Sequence, residues 1–202
     1  MENTKETKNA FITESTEELN SGKALPLKAL KLQTRQIALC GLFAALTAVL
    51  SPFSIPIGPV PINLATFSVM CAGAVLGAKY GFISQLVYLL VGVLGVPVFS
   101  NFSSGPAKLI GPTGGYLIGY LAAAWLIGFI TQRAANKRRV IIPAMAAGAV
   151  CYLTLGTLWY MYMAKVNAAG ALAVCVIPFL PGDLIKLAAA SEIAYRVRGI
   201  LR

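Results

Sequence analysis

From Gln36 onward the chain is a succession of long apolar stretches broken by short basic or Pro- and Gly-rich punctuation. No charged residue occurs from Gln36 to Ala78, from Tyr80 to Ala107, from Leu109 to Gln132 or from Val140 to Ala164. A helix needs about 20 apolar residues to cross the hydrocarbon layer, so each stretch is of membrane length. The pattern predicts six helices, over residues 36–53, 63–78, 80–95, 113–131, 141–163 and 181–198, with residues 166–177 as a short helix packed at the outer surface. The second is short for a span and must borrow length from its flanks. Pro and Gly mark the connections: Ser54 to Ile62 after the first helix and the long loop Val96 to Pro112 after the third.

Ahead of these lies a different kind of sequence. The first 22 or so residues are polar and lack an apolar signal segment, and Ala24 to Arg35 mixes Leu with Lys and Arg. This predicts two regions: residues 1–34, a disordered tail with a basic juxtamembrane lead-in, and residues 35–202, a membrane domain. Composition agrees, since hydrophobic residues make up 57% of the 202 and charged residues 12%, about half the charge of a soluble protein.

The net charge of +10 has no basic face interleaved with aromatics, which argues against nucleic acid. Its placement reads instead as orientation. With the N-terminus inside, Lys28, Lys31, Arg35, Lys79, Arg133, Lys137, Arg138, Arg139, Arg196, Arg198 and Arg202 fall on the cytoplasmic side, and only Lys108 and Lys165 outside. That asymmetry predicts both termini in the cytoplasm of a multi-pass membrane protein, for which a bacterial plasma membrane is the expected location. It also puts Trp159, Tyr160 and Tyr162 at the outer end of the fifth helix, where an aromatic belt belongs.

Histidine is absent, which removes the commonest general base and metal ligand. The four cysteines lack CxxC spacing and read as free buried thiols rather than a metal or disulfide framework. No Walker A motif is present, so any ATP hydrolysis comes from another chain. The expectation is a protein without catalytic activity, cofactor or metal.

Candidate chemistry concentrates at the outer end. Five of the seven acids lie in the first eighteen residues, leaving Asp183 and Glu192. Asp183 and Lys186 sit three apart and share a helix face in an otherwise uncharged segment. A charge at membrane depth costs about 2.5 to 3.5 kcal/mol and so faces a cavity or a partner. Two readings stand: a closed ion pair without a ligand, or a polar anchor in which Asp183 accepts N–H donors and Lys186, or Lys108 above it, meets a carboxylate. Asn101, between Phe99 and Phe102, offers a donor and an acceptor beside apolar rings, and Tyr116 opens the fourth helix toward the same space. Glu192 has a local partner in Arg196, four residues on. In the first helix Ala44 and Ala48 form a small-xxx-small face suited to close helix contact, within the chain or with a partner. Gly73, Gly77 and Gly81 form a similar ladder that reads as internal packing.

Four blocks carry a family likeness: Pro59-Val-Pro-Ile-Asn-Leu-Ala-Thr-Phe67, Gly95-Val-Pro-Val-Phe99, Gly111-Pro-Thr-Gly-Gly-Tyr-Leu-Ile-Gly119 and Pro178-Phe-Leu-Pro-Gly-Asp-Leu-Ile-Lys186. Over about residues 36–200 the chain resembles the BioY family, biotin-specific S components of energy-coupling factor (ECF) importers. One departure is Ala65, where the family pattern has Gln before Thr-Phe. The resemblance implies a six-helix, all-α subunit that captures biotin near the outer face, working with a transmembrane coupling subunit and two cytoplasmic ATPases. It implies a substrate site of Asp183 and Asn101 for the ureido ring, Phe99, Phe102 and Tyr116 for the apolar bicycle, Lys186 or Lys108 for the carboxylate, and Thr66 beside them. It also assigns Ala44 and Ala48 to docking on the coupling subunit. The competing expectations are an S component for thiamin or riboflavin, an integral membrane enzyme, and an accessory membrane subunit.

Overall fold

A computed structural model describes residues 27–56, 60–134 and 138–201. The acidic N-terminal stretch and Arg202 lie outside the described residues, as do Lys137 and the Ile57–Pro59 part of the first connection; of Lys28, Lys31 and Arg138 only the backbone is described. The contacts below all fall within residues 36–202, which form one compact unit.

The architecture is all-helical with one small hairpin. Helix α1 spans Leu27–Leu50, followed by β1 Ser54–Ile55 and β2 Ile62–Asn63, then α2 Ala65–Val93. A 3-10 turn at Ser100–Phe102 and α3 Ala107–Ile110 occupy the long loop. Then come α4 Gly114–Arg133, α5 Arg138–Ala164, α6 Ala168–Cys175 and α7 Leu180–Leu201. Within the described residues, helix already covers the basic lead-in from Leu27 on. The ends of the Pro-rich connection form an antiparallel pair with Ser54 opposite Asn63 and Ile55 opposite Ile62. Among the described residues α2, α4 and α5 are each long and apolar enough to cross a membrane, and α6 with α7, bent by 50°, make a fourth span if counted as one.

Helix α2 is folded back on itself. Gly77 has φ 82° and ψ −176°, outside helical space, a conformation that costs an L-residue with a side chain dearly. A Cβ added to Gly81 would lie 3.0 Å from the Cα of Gly73, although residues eight apart in a straight helix are separated by about 12 Å. The two arms, 65–76 and 78–93, therefore run alongside each other. Gln132 of α4 steps into the fold, its Oε1 accepting the freed Ala78 N–H at 3.2 Å, and Arg198 of α7 donates to the Ala74 carbonyl in the other arm. Both bonds supply partners for backbone groups that a break leaves open.

Small residues let the arms approach α4 closely. A Cβ on Gly73 would come within 2.6 Å of the Ala124 carbonyl oxygen, and Ala72, Ala74, Ala123 and Ala124 are fully buried. A polar seam ties α1 to both arms. Thr47 Oγ1 and Ser68 Oγ lie 2.8 Å apart, Gln85 Nε2 donates to Thr47 Oγ1 at 3.3 Å, and Ser51 Oγ pairs with the Tyr88 hydroxyl at 2.7 Å. In an apolar surround such bonds fix which helices meet.

Candidate functional site

Four elements bring polar groups together at one end of the bundle: β2, the start of α2, the middle of α5 and the start of α7. Asp183 and Lys186 stand on the same face of α7, 3.0 Å apart from Oδ1 to Nζ, with side chains 6% and 10% exposed. Lys186 Nζ also donates to the Asn63 carbonyl at 2.8 Å and to Thr66 Oγ1 at 3.0 Å. An ammonium has three N–H donors, so all three are engaged. On the other side Tyr152 of α5 donates its hydroxyl to Asp183 Oδ2, and Thr66 lies 3.5 Å from Oδ1. The charge pair thus sits in a ring of hydrogen bonds, the condition under which two buried charges are tolerated.

A tyrosine layer covers this ring. Tyr120 donates to Asn63 Oδ1 at 3.3 Å and meets Tyr152 edge to face at 5.9 Å. Tyr116 donates to the Cys175 carbonyl at 3.1 Å and stacks on Phe179 at 6.0 Å. Gly156 makes room for it, since a Cβ there would lie 2.5 Å from the Tyr116 ring. Between these groups is a cavity of about 20 Å³ bounded by Asn63, Thr66, Phe99, Lys108, Tyr116, Tyr120, Tyr152, Phe179 and Lys186, among others. The ammonium of half-buried Lys108 has no partner among the described residues. The arrangement offers a carboxylate acceptor, a carboxamide, a row of aromatic faces and, at the rim, an unpaired cation. A polar heterocycle with an apolar body and an anionic tail would match each in turn.

The residues expected from the sequence divide into two groups. Lys186, Thr66, Phe99, Tyr116 and Lys108 converge on the cavity, and Asp183 stands directly behind it, bonded to Lys186, Thr66 and Tyr152 of its wall. Asn101 and Phe102 do not. Both take left-handed backbone angles, φ 59° and 53°, which turn their side chains away from the buried Phe99 toward the β1–β2 hairpin. Asn101 Oδ1 accepts from Ser54 Oγ at 2.9 Å, its N–H reaches the Pro52 carbonyl at 3.3 Å, and Phe102, 62% exposed, packs on Phe53. In α1, Ala44 is buried in the core at 5% exposure and Ala48 is half-buried, so the outward small residues there are Gly41 and Ala45.

Asn63, Tyr120, Tyr152 and Phe179 were not anticipated. Two had a signal. Tyr120 lies one turn after Tyr116 and shares its face, and Tyr152 is a hydroxyl in mid-helix that hydrocarbon cannot satisfy. Asn63 and Phe179 fall within two of the blocks that carry the family likeness, but by residue type one reads as an ordinary helix start and the other as core.

Fold and site together define an integral membrane protein that holds a buried, charged and fully hydrogen-bonded cluster beside a small aromatic-lined cavity. The sequence profile of the BioY family matches residues 22–202, and the chain belongs to that family. It is 39% identical over 168 residues to a probable biotin transporter BioY of Pyrococcus horikoshii, covering 83% of this chain and 99% of that one. It is 37% identical over 164 residues to the biotin transporter BioY of Thermotoga maritima, covering 81% and 96%. Among solved structures it resembles the S-component for biotin from an ECF-type ABC transporter, with a TM-score of 0.79 and 29% identity, covering 84% of this chain and 93% of that one.

Proposed function

We propose that this protein is the biotin-binding S component of an ECF-type importer of the cell membrane. It captures the vitamin on the outer side for uptake driven by a coupling subunit and two ATPase subunits. The observation that carries the reading is the buried Asp183–Lys186 pair beside an aromatic cavity, in a chain of the BioY family. Asp183 accepts a ureido N–H as Tyr152 or Thr66 yields its place on the carboxylate, and Asn63 supplies the carboxamide expected at Asn101. Tyr116, Phe99 and Phe179 cover the bicycle. Lys186 has its three donors committed, so the ligand carboxylate goes to Lys108 at the rim.

The two arms of α2 act as separate crossings, which with α1, α4, α5 and α7 makes six helices and leaves both termini in the cytoplasm, as the basic residues favour. The expected pair Ala44 and Ala48 packs on the core of this chain, so docking on the coupling subunit falls to the exposed face of α1 that carries Gly41 and Ala45.

The test is calorimetry of the purified chain with biotin, thiamin and riboflavin. Biotin alone should bind, and Asp183→Asn should weaken it by more than about tenfold, some 1.4 kcal/mol. Binding of thiamin or riboflavin in its place, or an unchanged affinity in the variant, overturns the assignment.

A further inference from the structure

Two cavities meet at Asn63 and Lys186. The inner one, beneath the tyrosines, is about 20 Å³, room for about one water. The second opens on the flank between the β1–β2 hairpin and α7, has a volume of about 370 Å³, and is walled by Phe53, Ile55, Ile62 and Leu64 with Ser54. Asn63 and Lys186 are the two residues that line both. Ligand sites for molecules of drug size run to about 300 Å³ or more. The inner cavity cannot take a fused bicycle in this conformation, while the cleft beside it has the volume.

The ways in differ in what must yield. From above, the loop over the inner cavity is tied down at several points. Asn101 is bonded to Ser54 and Pro52, Asn63 Nδ2 holds Ser100 Oγ at 2.9 Å, and Trp159 Nε1 holds the Gly111 carbonyl at 3.0 Å. From the flank, the partition is the single Asn63 side chain, held by the Tyr120 hydroxyl at 3.3 Å, the Ala65 N–H at 3.2 Å and its own bond to Ser100. Asn63 ends a ladder of two residue pairs, and so short a hairpin is marginal by itself. The cleft has apolar walls with an ammonium at its floor, and its rim residues Phe53, Ile55 and Leu64 are 58%, 64% and 44% exposed. That surface suits the apolar body of an amphiphile, the Lys186 ammonium being committed already to Asn63, Thr66 and Asp183.

We infer that the flank cleft is the access route of the ligand, and that the Asn63 side chain is the partition that must swing aside to join the cleft to the inner cavity. This rests on the biotin reading above, with biotin as the molecule that passes. Leu64 and Ile55 border the route and do not line the inner cavity, so filling the cleft at either should slow passage without touching the bound ligand.

The experiment uses the full chain in lipid nanodiscs and measures biotin association and dissociation by stopped flow. Leu64→Trp should lower both rates by roughly tenfold or more and leave their ratio unchanged. Ile55→Trp, from the opposite wall, should do the same and carries the test if the first variant does not fold. Unchanged rates in the folded variants overturn the inference while leaving biotin binding intact. A lower affinity with an unchanged association rate also overturns it, because the cleft would then be part of the bound site. If the unsubstituted chain binds no biotin, the functional reading fails, and the route with it.

Discussion

Helix α7 carries two ion pairs, one turn pattern apart in kind and opposite in environment. Asp183 and Lys186 are 3.0 Å apart with 6% and 10% of their side chains exposed, whereas Glu192 and Arg196 are 2.8 Å apart with 44% and 75% exposed. By distance alone the buried pair is the poorer one. Burial reverses the ranking. In water-like surroundings an ion pair contributes about 0 to 1 kcal/mol because solvent screens it and the long side chains must be ordered. In a low-dielectric interior each partner is costly without the other, so what matters is the loss when one is removed.

The largest effect is therefore expected at Lys186. Lys186→Met removes the donor to Asn63, Thr66 and Asp183 at once and leaves a buried carboxylate held only by Tyr152 and a long contact to Thr66. Breaking a buried pair in this way costs about 3–5 kcal/mol. Thermal unfolding in detergent should show a drop of roughly 10 °C, and biotin affinity by calorimetry should fall roughly a hundredfold or more. A variant as stable as the parent would mean that the pair is solvated, contrary to its position.

Tyr152→Phe sharpens the same contrast with a smaller change. The ring and its edge-to-face contact with Tyr120 remain, and only the hydroxyl on Asp183 Oδ2 is lost. Leaving that oxygen unpaired costs about 1–3 kcal/mol, so the melting temperature should fall by several degrees and biotin affinity by about tenfold. If affinity holds while stability drops, Tyr152 supports the carboxylate structurally and does not prepare it for the ligand.

How much of this was legible beforehand follows from which signals are local. Charge inside an apolar stretch is a one-dimensional signal, and it picked out Asp183, Lys186 and the exposed Glu192–Arg196 pair correctly as neighbours. The end of one helix and the start of the next near residues 78 to 80 was visible from Lys79 among uncharged residues, and Gly77 supplies the fold there. Tyr152 gives only the weak signal of a mid-helix hydroxyl, because a tyrosine does not interrupt apolar periodicity and its partner lies 31 residues away on another helix. Asn101 was misplaced for the opposite reason. It is two residues from buried Phe99, but sequence proximity does not report a left-handed turn, and that turn sends the carboxamide to Ser54.

The exposed pair gives the smallest effect and the cleanest control. Arg196→Ala removes a guanidinium that is 75% exposed and bonded to Glu192 one turn earlier. Such i, i+4 pairs contribute about 0.3–0.5 kcal/mol, which at this chain length moves the melting temperature by no more than about 2 °C. What remains should vanish as salt is raised, since screening acts on exposed charges first, whereas the Lys186→Met penalty should persist in high salt. Biotin affinity should not change, because Arg196 does not border the cavity. A loss of several degrees, or a penalty insensitive to salt, would show that α7 is held at this end by its charges as firmly as at the other, and the division of the helix into a buried functional pair and a solvated one would fail.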